Sequence, residues 1–177
     1  LAFLFIEIAF IQRFILFLGH PIYAMALALT GFLAFAGLVS AVAPIYARRL
    51  LAGRFKSLEP ISIVVFAIAT IALIYIVVLP SVFHALTMLS DPAKAVIALV
   101  LIAPLAFLMG LPFPLGLIRV SESLPELVPW AWGVNSCFSV ISAVLAAILA
   151  IHIGFSGVVS SAAVFYLLAG GLLHKPL

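Results

Sequence analysis

The sequence predicts an all-α integral membrane protein, a polytopic bundle of about six transmembrane helices. Of the 177 residues, 68% are hydrophobic and only 7% are charged, whereas a soluble domain typically has about 25% charged residues. So few charges cannot cover a surface exposed to water, so the expected solvent is the lipid bilayer. We interpret 1–177 as a single transmembrane domain. Its apolar runs long enough to span a bilayer lie at about 1–18, 22–44, 61–80, 94–111, 131–151 and 156–173.

The connections between these runs predict turns and an orientation. Gly19, His20 and Pro21 are typical of a tight turn between the first two runs. The loop 48–56, from Arg48 to Lys56, contains four basic residues. Under the positive-inside rule this loop is cytoplasmic, and by alternation the C-terminus is cytoplasmic too.

The first run carries polar residues at membrane depth, namely Glu7, Gln12 and Arg13. A charge at the centre of a bilayer costs about 2.5–3.5 kcal/mol on insertion scales. Glu7 and Arg13 lie about 120° apart around a helix, so they cannot form a pair on one face. Each must reach another helix, a headgroup, a water-filled cavity or a second subunit; the alternative for an isolated Glu7 is that its carboxyl group is protonated. We expect a polar clamp between helices; a transport or catalytic role and a contact outside this sequence are the alternatives.

A proline-rich motif predicts a break in the fourth run. Pro112 and Pro114 lack backbone N–H groups and disfavour helix at the residues before them, and Gly110 and Gly116 permit unusual dihedrals. The helix is therefore expected to be discontinuous between Gly110 and Pro114. In transporters such broken helices form ion and substrate sites. The alternative is a helix end followed by a structured loop.

The fifth run contains a polar stripe. Asn135, Ser139 and Ser142 recur at i, i+4 and i+7, which places them on one face of a helix. Side chains of this kind form hydrogen bonds between membrane helices. We therefore expect Asn135 or Ser139 to form hydrogen bonds with Glu7 or Arg13.

Small residues predict where helices approach each other closely. They are spaced by four in the second run, at Ala36 and Ser40 and at Gly37 and Ala41. This spacing is typical of packed membrane helices, because small side chains let two backbones come near.

No metal site, cofactor or catalytic constellation is expected within the sequence. His20, His84 and His152 fall on the outer side of the predicted topology and His174 on the inner side, and no two are spaced for one helix face. The basic residues form no patch that could follow a nucleic acid. The expected partners are the lipid bilayer and other membrane subunits or the rest of a longer chain.

Three segments resemble one family, the multi-pass bacterial membrane proteins fused to a spermidine-synthase-like domain. The segments are 7–24, 109–116 and 129–140, in the family's order. Leu111, Ser136 and Lys94 depart from its pattern, where Met, Gly and Arg are usual. The matching residues are Glu7, Ile11, Gln12, Arg13, Phe14, Phe17, Leu18, Gly19, His20, Pro21, Tyr23, Ala24, Met109, Gly110, Pro112, Phe113, Pro114, Gly116, Pro129, Trp130, Ala131, Trp132, Gly133, Asn135, Ser139 and Val140.

The resemblance implies a protein of the bacterial inner membrane. Full-length relatives carry an aminopropyltransferase-like domain, whose glycine-rich cofactor loop is not found in these residues, so a soluble domain before Leu1 is an open expectation. We expect an anchoring or accessory subunit that packs in a larger membrane assembly. The alternatives are a transporter-like module for a polyamine or similar small solute, and the membrane half of an aminopropyltransferase-like enzyme.

Overall fold

The computed structural model of the chain describes residues 1–52 and 60–173. These residues are almost entirely helical, and no strand occurs among them, so the predicted all-α class is confirmed. A short 3-10 helix, Pro125–Leu127, precedes the last helix. The α-helices are α1 (Ala2–Leu18), α2 (Pro21–Ala52), α3 (Pro60–Ala85), α4 (Asp91–Met109), α5 (Pro112–Ser123) and α6 (Val128–Leu173).

Four segments of the described chain are long and apolar enough to cross a membrane, and the predicted count of about six is not confirmed by this measure. One reason is that α1 has 17 residues and rises only about 26 Å. Another is that the last segment is continuous across two of the predicted runs. The four segments are Pro21–Ala43, Ile61–Ala85, Asp91–Ser123 and Pro125–Gly171.

A non-helical residue divides α6 into two regular parts. The helix has 46 residues, which at about 1.5 Å each is more than twice the roughly 30 Å thickness of the hydrocarbon core. Gly154 has φ 67° and ψ −176°, a conformation that glycine adopts without the steric penalty of a side chain. We call 128–153 the N-terminal part of α6 and 155–173 its C-terminal part.

The core of the bundle is built around α1. This helix packs mainly against α6 and α2, while α3 packs on α6 and α2 packs on α4. Contacts on several sides bury a broad surface of α1, including Phe5, Ile6, Phe10 and Phe14. The predicted span that carries Glu7 and Arg13 is thus the one enclosed by its neighbours.

The helix ends follow the local sequence signals. Gly19 ends α1 with φ 72°, and its N–H donates to the carbonyl of Ile15 at 3.0 Å, which confirms the predicted turn. The start of α4 comes earlier than predicted, at Asp91. Pro92 is favourable there because the first helical N–H groups have no helical acceptor, and the carboxylate of Asp91 suits the positive end of the helix dipole.

Two helices continue through proline beyond the apolar runs predicted for them. α3 runs to Ala85 with Pro80 inside it, and α2 runs to Ala52 through Pro44. An internal proline removes one backbone donor, a loss that membrane helices tolerate when packed neighbours compensate for it. Residues 48–52 of the predicted loop belong to α2, whereas residues 53–56 and 174–177, on which the predicted orientation also depends, lie outside the described residues.

Candidate functional site

A cavity of about 870 Å³ brings the three sequence motifs together. Glu7 contributes from α1, Ser40 from α2, and Tyr166 from the C-terminal part of α6. The broken-helix motif contributes Pro112, and the polar stripe contributes Asn135. Residues far apart in the sequence therefore line one cavity, and we treat this cavity as the candidate site.

Glu7 is the buried acidic residue of the cavity. Its side chain is 2% exposed, and its Oε1 is buried without a hydrogen-bond partner among the described residues. The neighbouring positions on α1, including Phe3, Leu4, Phe10 and Ile11, are apolar and supply no donor. A buried polar atom without a partner costs about 1–3 kcal/mol, and more when it is charged. Burying the carboxyl group of Glu7 therefore costs free energy that no side chain of α1 offsets with a hydrogen bond.

The predicted discontinuity after the fourth run is present. α4 ends at Met109 and α5 begins at Pro112, with Gly110 and Leu111 between them. A Cβ added at Gly110 would lie 2.4 Å from the carbonyl oxygen of Ala36 and 2.8 Å from its Cα. Only glycine fits this crossing, because the neighbouring atoms belong to the backbone of α2.

The other members of the motif have different surroundings. Pro112 and Pro114 line the cavity, and Pro114 has no N–H with which to bond the carbonyl of Gly110 four residues earlier. Gly116 lies on α5 away from the cavity lining, and a Cβ added there would meet nothing within 4 Å. In this motif Gly110 thus lies at a close helix crossing, Pro112 and Pro114 line the cavity, and Gly116 has open space beside it.

The polar stripe reaches the cavity but does not form the expected hydrogen bonds. Asn135 and Ser139 line the cavity together with Glu7. The hydroxyl of Ser139 donates to the carbonyl of Asn135 at 2.8 Å, and the buried hydroxyl of Ser142 donates to the carbonyl of Phe138. Such bonds within one helix compete with contacts between helices. The hydroxyl protons of the stripe are thus used locally, and Oε1 of Glu7 receives none of them.

Arg13 interacts with an aromatic ring instead of a polar side chain. Its guanidinium carbon lies 4.7 Å from the ring centroid of Phe155, the residue that follows Gly154. Its Nε is buried without a hydrogen-bond partner among the described residues. Gln12 is half-buried beside it on α1 and does not line the cavity. The predicted cluster therefore separates into a Glu7 group and an Arg13 group.

Aromatic rings fill the region around the second half of α1. Phe17 and Phe83 stack with centroids 4.4 Å apart, and Phe14 lies 5.5 Å from Phe83. Phe10 lies 6.0 Å from Phe155, so the same ring that contacts Arg13 also closes the core. This region is packed, in contrast to the cavity beside Glu7.

Several residues of the site were not found by sequence reasoning. Tyr166 and Phe155 lie on the last helix and belong to no motif, so only the fold brings them to α1. Ala36 carried a signal, because its spacing from Ser40 predicted a close approach, and that approach is made by Gly110. Among the described residues no three His, Cys, Asp or Glu side chains form a group that could hold a metal.

The polar side chains of the cavity are those of Glu7, Ser40, Asn135, Ser139 and Tyr166. Their oxygens can all accept hydrogen bonds, and the hydroxyls of Ser40 and Tyr166 and the amide of Asn135 can also donate them. The arrangement can accept hydrogen bonds and bind positive charge. Comparison with protein-family models, with curated proteins and with solved structures finds no match to this chain.

Proposed function

We propose that the chain is the membrane part of a spermidine-synthase-like protein and serves as an anchoring or accessory subunit in a larger membrane assembly. The resemblance of segments 7–24, 109–116 and 129–140 supports the family, and the apolar helices support the membrane. The proposal includes six crossings of the bacterial inner membrane. α1 and the two parts of α6 then each cross once, and the loop 48–56 is cytoplasmic.

One observation carries the anchoring role: the beginning of the N-terminal part of α6 is largely exposed in the described chain, although the ring of Trp132 lies 5.0 Å from that of Phe113. Within 129–141, all residues except Ala131 and Ser139 are exposed. Trp130 is 72% exposed and Trp132 is 52% exposed. Asn135 is exposed as well, and an amide facing acyl chains would leave its hydrogen bonds unmade. A further membrane segment that packs against this part of α6 in the assembly would cover these exposed residues.

Photo-crosslinking in native membranes tests this role. A benzophenone amino acid at Trp132 is expected to form a discrete adduct with a membrane-embedded segment, which peptide mass spectrometry identifies. The matched control is Val77 on α3, an apolar position that is 73% exposed. We expect only lipid adducts there. Lipid adducts alone at both positions, or the same protein adducts at both, would contradict an anchoring face on α6.

Cysteine labelling tests the proposed orientation. Cys137 is the single cysteine, so Cys137→Ser provides a background without a reactive thiol. In that background Ala52→Cys, within the basic loop 48–56, is expected to react with an impermeant maleimide only after the membrane is opened. Labelling of Ala52→Cys in intact cells or spheroplasts would contradict the proposed orientation and support the opposite one.

A transporter-like module for a small solute is the second candidate, and the cavity favours it. Broken helices that line cavities are typical of transporter binding sites. Uptake into proteoliposomes that contain only this protein would support transport and would argue against a purely anchoring role.

A further inference from the structure

We propose that the cavity binds a protonated primary amine with a small apolar body, and that its ammonium group pairs with Glu7. This proposal goes beyond the anchoring role and does not depend on it. It rests on the charge, the acceptors and the size of the cavity.

The cavity contains one acidic side chain that lacks a partner among the described residues. Among the side chains that line it, Glu7 is the only one of Asp, Glu, Lys, Arg or His type within the described chain. It is almost fully buried, and its Oε1 has no partner. Arg13 cannot serve, because it lies six residues along α1 and its guanidinium is over Phe155. A cationic donor from outside the described chain satisfies the carboxylate by a charge-assisted hydrogen bond.

Four other polar side chains of the cavity, those of Ser40, Asn135, Ser139 and Tyr166, have oxygens that can accept hydrogen bonds from an ammonium. The proton of Ser139 is donated to the carbonyl of Asn135, so its oxygen is left with lone pairs. Gly110 and Pro114 also line the cavity, and Pro114 has no N–H to donate to the carbonyl of Gly110. This part of the lining is also the C-terminal end of α4, where the helix dipole is negative. A primary ammonium offers three N–H donors to such a set.

The size and lining of the cavity favour an organic cation over a bare ion. Its volume of about 870 Å³ is in the range of small-molecule pockets, roughly 300–1,000 Å³, whereas a single water occupies about 30 Å³. Aromatic side chains of Phe3, Phe113, Phe165 and Tyr166 line much of the rest. These rings can contact an apolar body, and their faces attract positive charge. A metal ion would leave most of this surface without a partner.

The test measures how well added probes protect a cysteine in the cavity. The reporter is Ser40→Cys in the Cys137→Ser background, with the protein in nanodiscs. The control reporter is Ser160→Cys, which is half-buried and away from the cavity. Modification by a water-soluble methanethiosulfonate is followed with hexylammonium chloride, hexanol, sodium hexanoate or sodium chloride present.

We expect hexylammonium to slow modification of Ser40→Cys about tenfold when nine-tenths of the cavities are filled, by simple mass action. Modification of Ser160→Cys should be unchanged. Glu7→Gln should abolish the protection, and Glu7→Asp should retain part of it. The unchanged Ser160→Cys rate in each variant shows that the fold persists.

Several results would overturn the proposal. One is equal protection by hexanol or hexanoate, a comparison that needs no variant of Glu7. Others are full protection by sodium chloride alone, and protection by hexylammonium that survives in Glu7→Gln. A Ser40→Cys that is unreactive in native membranes but reactive after purification would mean that a protein segment fills the cavity, and this too would contradict an amine site. None of these outcomes depends on whether α6 has a partner.

Discussion

The two halves of α1 hold their charged residues in opposite surroundings. Glu7, in the first half, lies on a cavity and has a buried oxygen without a partner. Arg13, in the second half, lies against the ring of Phe155 within a group of packed aromatic side chains. One short apolar helix therefore faces an open site at its beginning and a filled core further along.

The difference follows from the chemistry of the two charges. A guanidinium is planar and weakly hydrated, so it can lie on the face of an aromatic ring that the chain itself supplies. A carboxylate is repelled by such a face and needs hydrogen-bond donors. The described chain gives Arg13 a ring and gives Oε1 of Glu7 no donor. The Arg13 half of α1 is thus packed against a ring, although Nε of Arg13 has no hydrogen-bond partner among the described residues, whereas the Glu7 half borders a cavity.

The largest effect is expected in the filled half. Phe155→Ala should lower the free energy of unfolding by about 3–5 kcal/mol, because it leaves a cavity beside Phe10 and removes the ring from Arg13. Unfolding in mixed detergent micelles measures this loss. Phe138→Ala, on an exposed position of α6, is the matched control and should change stability little. Equal losses in both variants would mean that Phe155 has no special role.

A smaller loss is expected at the wall of the open half. Gly110→Ala should cost about 1–3 kcal/mol through overpacking against the backbone of Ala36. Gly116→Ala is the matched control, since its Cβ would meet nothing, and it should be neutral or stabilising by up to about 1 kcal/mol through helix propensity. Thermal unfolding of both variants checks the pair. A tolerated Gly110→Ala would show that α2 and α4 can separate freely at this crossing.

The smallest effect concerns the hydrogen bond between α3 and α4. The hydroxyl of Tyr75 donates to the carbonyl of Leu101 at 2.9 Å, three residues before Pro104 inside α4. Tyr75→Phe should cost about 0.6 kcal/mol, the average for such bonds in membrane proteins. Thr70→Val, which removes a hydroxyl bonded within its own helix, is the control and should cost less. A greater loss of stability in Thr70→Val than in Tyr75→Phe would mean that the hydrogen bond of Tyr75 does not stabilise the contact between α3 and α4.

Local signals in the sequence predicted the features that depend on neighbouring residues. The turn at Gly19 and the break after Met109 follow from glycine and proline chemistry. The continuation of α3 through Pro80 did not follow, because the packing that tolerates a proline is not local. The contact of Arg13 with Phe155 joins the first and last helices, and the spacing of residues along the sequence does not predict it. The local bonds of Ser139 and Ser142 show why a polar stripe does not predict its own partners.

The most direct test of the difference between the two halves compares cysteines at two positions of α1. Leu4 lines the cavity, and Ile11, seven residues later and on the same face, is buried in the filled half. In the Cys137→Ser background, the rate of modification by a water-soluble methanethiosulfonate is measured for each before and after unfolding in dodecyl sulfate. We predict that Leu4→Cys reacts in the folded protein, whereas Ile11→Cys reacts only after unfolding. Equal rates in the folded protein, or a faster reaction at Ile11→Cys, would contradict an open and a filled half.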